Sequence, residues 1–361
     1  MSADPGLASW LQLTLTPGLG AAAIRGLLKQ FGLPENILAA PRAQLERVAG
    51  PAAAALQHSE ETAAAVRNAL RWAESPGHAV VTLADAAYPR LLLEIADPPP
   101  LLYAVGRLDL LGRPSLAIVG SRNATAQGVR NAEQFARAFS AAGLTIVSGM
   151  ALGIDAAAHA GGLAGEGSTI AVLGTGVDVT YPRQNAALAQ RIAQSGLLLS
   201  EFALGSAGAA HHFPRRNRLI SGLAQGCLVV EAALASGSLI TARAAAEQGR
   251  EVFAIPGSIH SPLAKGCHAL LKQGAKLVES AEDVLAELTA FQRIATASTR
   301  APSPPAADEP LLAHMGFDPV DVDSICARAG LAAERVSAEL LRLELAGRVA
   351  ALPGGMYQRL N

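Results

Sequence analysis

The sequence predicts an α/β protein built on a doubly wound, Rossmann-like parallel sheet of extended size. Between about residues 78 and 290, short apolar runs alternate with segments of helical spacing. Continuous Val, Ile and Leu runs of this length are typical of strands buried on both faces, and the intervening helices suit crossover connections. The predicted strands span residues 79–83, 101–105, 116–120, 145–149, 169–174, 197–201, 227–231, 251–255 and 276–279.

Residues 1–75 are predicted to form a separate helical domain, because their helical spacing is broken by Gly and Pro and shows no strand pattern. Residues 16–20, Thr-Pro-Gly-Leu-Gly, predict a tight turn that opens a helix over 21–31. This turn also matches the dinucleotide fingerprint G-x-G-x-x-A, but no βαβ unit follows it. A helix-hairpin-helix turn that offers backbone N–H groups to a phosphate and a purely structural helical hairpin both fit.

Residues 294–310 are rich in Pro, Ala and Ser, lack a core pattern and predict a linker. Residues 311–361 predict a winged-helix-like domain with two helices and a hairpin. Asp318 as N-cap and Pro319 at the first helical position predict a helix that ends at Gly330. The second helix, over about 332–346, is balanced in charge, which favours docking to a protein or weak contact with DNA over sequence reading.

Composition narrows the class of protein. The 361 residues carry a net charge of −1, which counts against a protein that coats DNA by bulk charge, although a few Arg residues in a groove can still hold phosphates. No apolar run reaches the roughly 18 residues of a membrane span, and the N-terminus lacks the basic start of a signal peptide. Three scattered cysteines without a CxxC pair argue against disulfides and zinc and predict a reducing cytosol.

The first candidate site follows the strand at 116–120. Here the chain passes through Gly120, Ser121 and Arg122 into a helix over about 126–142, with Thr125 before it. The start of a helix favours an anion, and Ser, Thr and Arg side chains can donate to one. This segment therefore predicts an anion-binding loop.

The second candidate site has Gly149 and Gly153 where another strand meets a helix. Asp155 and His159 are four residues apart on that helix, which is the spacing of a metal pair. No third ligand lies nearby in the sequence. A capping Asp and a buried, hydrogen-bonded His are therefore favoured, and no metal is predicted.

Two further segments combine aromatic rings with cations, as single-strand binding requires. The first contains Tyr181, Arg183 and Asn185 after a Gly-x-Gly that lacks the third glycine of a dinucleotide site. The second, residues 211–218, is the densest basic cluster of the chain and contains Phe213, Arg216, Asn217 and Arg218. A last loop with Ser236, Gly237 and Ser238 opens a helix over about 239–249 and predicts another anion-binding turn.

Anion-binding loops at the carboxyl ends of several parallel strands predict one continuous crevice. No GxSxG elbow, Walker lysine, HExxH or paired-carboxylate signature accompanies them. The sequence thus predicts phosphate binding without a cofactor and without catalysis.

Six motifs in this order resemble the DprA (Smf) family of DNA-processing proteins. They are Ile-Val-Gly-Ser-Arg (118–122), Ser-Gly-Met-Ala-x-Gly-Ile-Asp (148–155), Tyr-Pro-x-x-Asn (181–185), Phe-Pro-x-Arg-Asn-Arg-x-Ile-x-Gly-Leu (213–223), Ser-Gly-Ser-Leu-Ile-Thr-Ala (236–242) and Val-Phe-Ala-Ile-Pro-Gly (252–257). The resemblance is strong over about 100–280. It implies an extended Rossmann domain that binds single-stranded DNA without base specificity, forms a homodimer and loads the RecA recombinase during natural transformation. It also implies a SAM-like N-terminal domain.

By the same resemblance, Arg122 and Arg183 are the phosphate-contacting cations, and Arg216 and Arg218 contribute. Family members often place Lys or Arg before Ser-Gly-Ser, where this chain has Ala235. That departure puts one cationic contact in doubt and suggests weaker binding.

Two other classes remain as alternatives. A phosphoribohydrolase-like enzyme would share this Rossmann variant, but its Pro-Gly-Gly-x-Gly-Thr-x-x-Glu loop is reduced here to Ser-Gly-Ser-Leu-Ile-Thr without a Glu in step. An NAD-dependent oxidoreductase is disfavoured by the incomplete glycine fingerprints.

Overall fold

The computed structural model describes residues 5–56, 59–288, 311–315, 319–352 and 354–360, and the predicted linker at 294–310 lies outside them. Among the described residues, no helix combines the length and the apolar character that crossing a bilayer requires.

The N-terminal region is helical, as predicted. Leu13, Leu27, Ile37 and Leu45 are fully buried in its own apolar core. Because the Gly-x-Gly turn at 18–20 follows a helix rather than a strand, its match to the dinucleotide fingerprint is incidental. The helices are α1 (Pro5–Leu15), α2 (Ala21–Phe31), α3 (Pro34–Ala39), α4 (Arg42–Ala49) and α5 (Glu60–Ala73), with a 3-10 helix at Pro51–Leu56.

The central region is one nine-stranded sheet in the order β1-β2-β6-β5-β4-β3-β7-β8-β9. All nine strands were predicted, each within two residues at either end. The seven strands β3 to β9 run parallel to one another. At one edge of the sheet, β2 pairs antiparallel with β6 and β1 pairs antiparallel with β2. The strands are β1 (His78–Thr82), β2 (Leu101–Gly106), β3 (Ser115–Val119), β4 (Thr145–Ser148), β5 (Thr169–Val172), β6 (Leu197–Ser200), β7 (Gly226–Val229), β8 (Glu251–Ala254) and β9 (Lys276–Leu277).

Helices cover both faces of this sheet. On β3, Leu116 and Ile118 face one apolar core and Ala117 and Val119 face the other, so the continuous apolar run is explained by burial on two sides. The helices are α6 (Arg90–Leu93), α7 (Ala126–Ala141), α8 (Ile154–Gly162), α9 (Ala186–Ser195), α10 (His212–Leu223), α11 (Ser238–Glu247), α12 (Lys265–Lys272) and α13 (Ala281–Glu287).

The sheet has a topological switch between β3 and β7. From β3 the chain proceeds to β4, β5 and β6 on one side, and it returns to the other side of β3 with β7, β8 and β9. The loops that leave β3 and β7 therefore diverge, and a crevice opens outside their carboxyl ends.

The C-terminal region has a winged-helix arrangement of two helices and a small sheet in the order β10-β12-β11. Its first helix begins later than predicted. Asp321 caps it by accepting a hydrogen bond from the Ser324 amide (2.8 Å), and Pro319 precedes a short strand, while residue 318 lies outside the described residues. The elements are β10 (Val320–Asp321), α14 (Val322–Ala329), α15 (Ala333–Leu345), β11 (Val349–Leu352) and β12 (Met356–Arg359).

Candidate nucleic-acid interface

A cleft of about 530 Å³ occupies the topological switch, between the loops after β3 and β7 and the start of α10. It collects side chains from segments more than 100 residues apart in the sequence, as the crevice prediction required. The predicted site residues that line it are Gly120, Ser121, Arg122, Phe213, Arg216, Asn217, Ser236, Gly237 and Ser238.

Arg122 is the exposed cation of this cleft. Its guanidinium carbon lies 5.8 Å from the centroid of the Phe213 ring, which is within cation–π range. No carboxylate of the described residues forms an ion pair with it. Its charge is therefore available to a ligand.

Tyr181 and Phe213 form an aromatic pair beside Arg122. Their ring centroids are 5.5 Å apart with planes inclined by 36°, and Tyr181 is 51% exposed. A small pocket of about 100 Å³ lies beneath them. A Cβ on Gly174 would come within 2.8 Å of the Phe213 ring, so this glycine makes room for the aromatic side chain.

Arg216 lines the base of the cleft and is almost entirely buried. It is 4% exposed, and its Nη1 donates to the carbonyl oxygens of Gly149, which follows β4, and of Val172, which ends β5. Burial lowers the pKa of Arg216 to about 10 against the opposing effect of the Asp155 carboxylate. A Cβ on Gly149 would lie 2.5 Å from the guanidinium, so this glycine admits Arg216 rather than a phosphate.

The two predicted site residues that follow Tyr181 lie in different environments, one buried and one exposed. Asn185 is buried, and its amide donates to the carbonyl oxygens of Met150 (2.9 Å) and Ala151 (3.2 Å). It thereby holds the loop after β4, in which Met150 has a φ of +65°. Arg183 is exposed on a neighbouring 3-10 turn and lies outside both the cleft lining and the small pocket.

Arg218 is directed away from the cleft, and its guanidinium bonds Glu201 (2.7 Å) and Asp97 (3.2 Å). The residues of the basic cluster at 211–218 therefore lie on different sides of α10. Arg215 also pairs with Glu201 (3.0 Å), whose side chain is only 2% exposed. Helical periodicity, which puts Phe213, Arg216 and Asn217 on the cleft face, could have separated these residues in advance.

The loop after β7 places the start of α11 at the cleft. Ser236 and Ser238 share a hydrogen bond between hydroxyls (2.7 Å), and Gly237 between them is exposed. Nothing lies within 4 Å of the position a Cβ on Gly237 would take, so the backbone is open to a ligand there. Ala235 lines the cleft beside this turn.

The start of α7 does not offer the predicted anion site, because an internal carboxylate occupies it. Glu231 accepts hydrogen bonds from the Thr125 amide (2.9 Å) and the Thr125 hydroxyl (2.5 Å). Thr125 in turn caps α7 by accepting from the Gly128 amide (2.9 Å). The Cβ positions of Gly120 and Gly153 are likewise filled by neighbouring protein, so these glycines serve packing.

Asp155 and His159 do not form a metal pair. Burial raises the pKa of Asp155, which accepts a hydrogen bond from the Ala151 amide (3.3 Å) at the floor of the cleft. His159 is fully buried and bonds the Thr169 hydroxyl through Nδ1 (2.7 Å), and burial lowers its pKa to about 3. Within the described ranges, no cluster of three His, Cys, Asp or Glu side chains could hold a metal ion.

Fold and site together define a Rossmann-like protein with a cationic and aromatic cleft at its topological switch. Residues 79–289 match the family model of DNA recombination-mediator protein A, and residues 295–355 match that of the DprA winged helix domain. The chain belongs to the DprA/Smf family of DNA-processing proteins.

Individual relatives agree with this assignment. Protein Smf of Escherichia coli (strain K12) is 43% identical over 309 residues, which are 82% of this chain and 81% of Smf. The X-ray structure of DNA processing protein A (DprA) from Streptococcus pneumoniae matches with a TM-score of 0.67 at 40% identity, covering 77% of this chain and 95% of that one. A structure of DNA processing protein A from Helicobacter pylori, described for its single-stranded DNA binding mode, matches with a TM-score of 0.54 at 32% identity over 58% of this chain and 96% of that one.

Proposed function

We propose that this protein binds single-stranded DNA in the cleft, with little preference for base sequence. The observation that carries the proposal is that Arg122, which forms no ion pair within the described residues, lies over the Phe213 ring, and that Tyr181 pairs with this ring at the switch of the sheet. Aromatic faces stack any base and a cation holds the phosphate beside it, which is the chemistry of sequence-tolerant single-strand binding. The single-strand binding described for the Helicobacter pylori relative supports the same function here.

The predicted site residues have two roles in this proposal. Those on the cleft surface contact the strand, with the start of α11 at Gly237 as a backbone site for phosphate. Arg183, on the neighbouring loop, would extend the path of the strand beyond Tyr181. Buried residues such as Arg216 and Asn185 hold the loops in place.

Fluorescence anisotropy with a labelled oligo-dT tests this proposal against a duplex of equal length. We expect tighter binding of the single strand and a log–log salt slope of about −0.7 for each phosphate contacted. Equal affinity for the duplex, or an isotherm unaffected by salt, would contradict it.

We further propose that the protein loads RecA on the bound strand, as the recombination-mediator family description suggests. The test is RecA filament formation on oligo-dT coated with single-strand-binding protein, with and without this chain. An Arg122→Ala variant should lose the stimulation if loading requires the bound strand. Unchanged RecA assembly with the wild-type chain would refute this part alone.

We propose that the protein forms a homodimer through an apolar groove of the α/β region. Leu234 and Ile259 are each 66% exposed and line this groove with Ala269 and Leu271, and Lys265, His268 and Lys272 complete its lining. Exposed apolar side chains rimmed by polar ones are typical of an interface, and a second copy of the chain is the proposed occupant. Light scattering should show a dimer that Leu234→Glu converts to a monomer, and a wild-type monomer at micromolar concentration would refute it.

The winged-helix region is proposed to dock a protein rather than to read DNA. The exposed side of α15 carries Leu341 and Leu345, 57% and 83% exposed, and the exposed charges of this helix are mixed, with Arg335 and Arg342 beside Glu334 and Glu344. Exposed leucines on a helix without net positive charge favour contact with a protein over contact with phosphates. A chain ending at residue 288 should therefore keep its oligo-dT affinity within a few-fold, and a tenfold loss in a folded truncation would make this region a DNA site.

The proposal also includes that the protein acts by binding and not by catalysis. Asp155 is the one carboxylate among the described residues that line the cleft, and it is engaged with the Ala151 amide. Incubation with nucleoside monophosphates tests the phosphoribohydrolase alternative. Release of free base would show an enzyme, whereas none is expected.

A further inference from the structure

Glu231 supports both ends of the loop that carries Arg122. Just after β7, its backbone carbonyl accepts a hydrogen bond from the Ser121 amide (2.8 Å). Its side chain accepts from the amide (2.9 Å) and the hydroxyl (2.5 Å) of Thr125. The loop between residues 121 and 125 is thus fixed at its first and last residues by one residue that follows the neighbouring strand β7.

The carboxylate of Glu231 also occupies the place where α7 attracts an anion. The side chain lies against the first turn of this 16-residue helix so closely that a Cβ on Gly128 would collide with it. A carboxylate at a helix N-terminus is stabilised by the free N–H groups and the helix dipole. A DNA phosphate therefore does not have α7 as a partner, and Arg122 and the start of α11 remain for it.

Within the described residues, the Arg122 side chain forms no ion pair and no hydrogen bond that would fix its position. Its described contact is the Phe213 ring, and the guanidinium is exposed. The direction of the side chain consequently depends on the backbone of its loop. That backbone is fixed by Glu231, by the Ser121 hydroxyl, which accepts from the Asn123 amide (3.1 Å), and by the Ile154 amide, which donates to the Ser121 carbonyl (3.2 Å).

We propose that Glu231 is a positioning residue for DNA binding: it presets the loop of Arg122 and excludes phosphate from the start of α7. This inference rests on the proposed single-strand binding in the cleft. It assigns a favourable role to a negative charge beside the proposed DNA site, because the start of α7 stabilises that charge and the carboxylate bonds Thr125.

A double-mutant cycle tests the proposal with oligo-dT anisotropy. Arg122→Ala is measured in the wild-type chain and in the Glu231→Gln chain, which keeps the side-chain shape. Glu231→Gln alone should weaken binding about 5- to 20-fold, and Arg122→Ala should then cost less than about 3-fold more, because contacts within one network are not additive. Arg183→Ala, on a separate loop, provides the matched control and should multiply independently with Glu231→Gln.

Thr125 supplies a second route to the same result. Thr125→Val removes the hydroxyl that bonds Glu231 and caps α7, and it should reproduce the loss and the coupling to Arg122→Ala. Thr125→Ser keeps the hydroxyl and should restore binding. Thermal melts accompany each variant, and affinities are compared at a temperature at which all are folded.

The outcomes separate this inference from the function on which it rests. Absence of single-strand binding by the wild-type chain would refute the proposed function. Normal binding that Arg122→Ala weakens equally in the wild-type, Glu231→Gln and Thr125→Val chains would refute the positioning role alone. Tighter binding by Glu231→Gln would also refute it, because the carboxylate would then simply repel the strand.

Discussion

Replacing Arg122 with alanine removes the exposed cation of the cleft and leaves the aromatic pair in place. A charged hydrogen bond to phosphate contributes about 1.5–3 kcal/mol. Because each 1.4 kcal/mol is a factor of ten, Arg122→Ala should weaken oligo-dT binding by roughly 10- to 100-fold. The effect should lie in the lower half of that range at high salt, because the guanidinium is exposed and therefore screened.

The same substitution should hardly change the stability of the fold. Arg122 makes no ion pair with the described residues, and exposed positions of this kind usually change the free energy of unfolding by less than about 0.5 kcal/mol. Arg122→Lys should recover only part of the affinity, since an ammonium group cannot donate bidentately as a guanidinium does. Arg183→Ala should act in the same direction but more mildly.

Fluorescence anisotropy over a salt series and a thermal melt of each variant are the measurements. Loss of one phosphate contact should make the log–log salt slope shallower by about 0.7. Arg137→Ala is the control, because Arg137 is an exposed arginine near the far end of α7 that pairs with Glu133. If Arg122→Ala bound normally, or lost affinity only by unfolding, Arg122 would be a structural residue and the strand would lie elsewhere.

Four other substitutions or conditions test the remaining parts of the site. Arg218→Ala should leave DNA affinity unchanged but lower the melting temperature, because the buried Glu201 carboxylate loses a partner, typically at about 1–3 kcal/mol; reduced affinity in the folded variant would contradict this. Tyr181→Ala should weaken oligo-dT binding about tenfold and Tyr181→Phe should not, since stacking contributes about 1–3 kcal/mol per base; equal effects of the two would contradict stacking. Ala235→Lys should tighten binding and steepen the salt slope by about 0.7, and an unchanged slope would show that position 235 does not reach the strand. Finally, because the pKa of His159 is lowered in the folded protein, the unfolded chain binds a proton at this residue first as the pH falls. The free energy of unfolding should therefore be unaffected by His159 above about pH 6.5 and should fall by about 1.4 kcal/mol per pH unit between there and about pH 3. Chemical denaturation across that range measures the free energy of unfolding, and a value that does not change with pH would contradict this expectation.

The sheet was predictable from the sequence because its signal is local. Each strand is a short apolar run, and burial on both faces requires that run to be continuous, as Leu116 to Val119 on β3 illustrate. Two residues that meet at the cleft were also predicted locally, since Arg122 follows a strand and Phe213 lies among cations. Asp321, in contrast, was missed as a helix cap because Asp318 three residues earlier shows the same local pattern.

The partners of the site residues could not be predicted, because they are distant in the chain. Glu231 lies 106 residues from Thr125, and Asp97 lies 121 residues from Arg218. Whether a cation faces the cleft or a carboxylate depends on these tertiary neighbours; helical spacing separates the two sides of α10, but it does not reveal which residues lie opposite them. The sequence therefore predicted which segments meet at the cleft more accurately than the contacts that each residue makes there.

The net charge of −1 is compatible with the proposed DNA binding, because what matters is which cations have an acidic partner and not how many cations the chain has. The most basic segment of the chain, 211–218, does not supply a general positive surface: Arg215 and Arg218 bond Glu201, and Arg216 bonds backbone carbonyls beneath the cleft. These bonds connect α10 to the carboxyl ends of the strands, and they thereby hold Phe213, which lies on α10, at the cleft. Attraction to a phosphate is then concentrated where a cation lacks a carboxylate partner, so the position of acidic residues determines where a strand can bind as much as the position of basic ones.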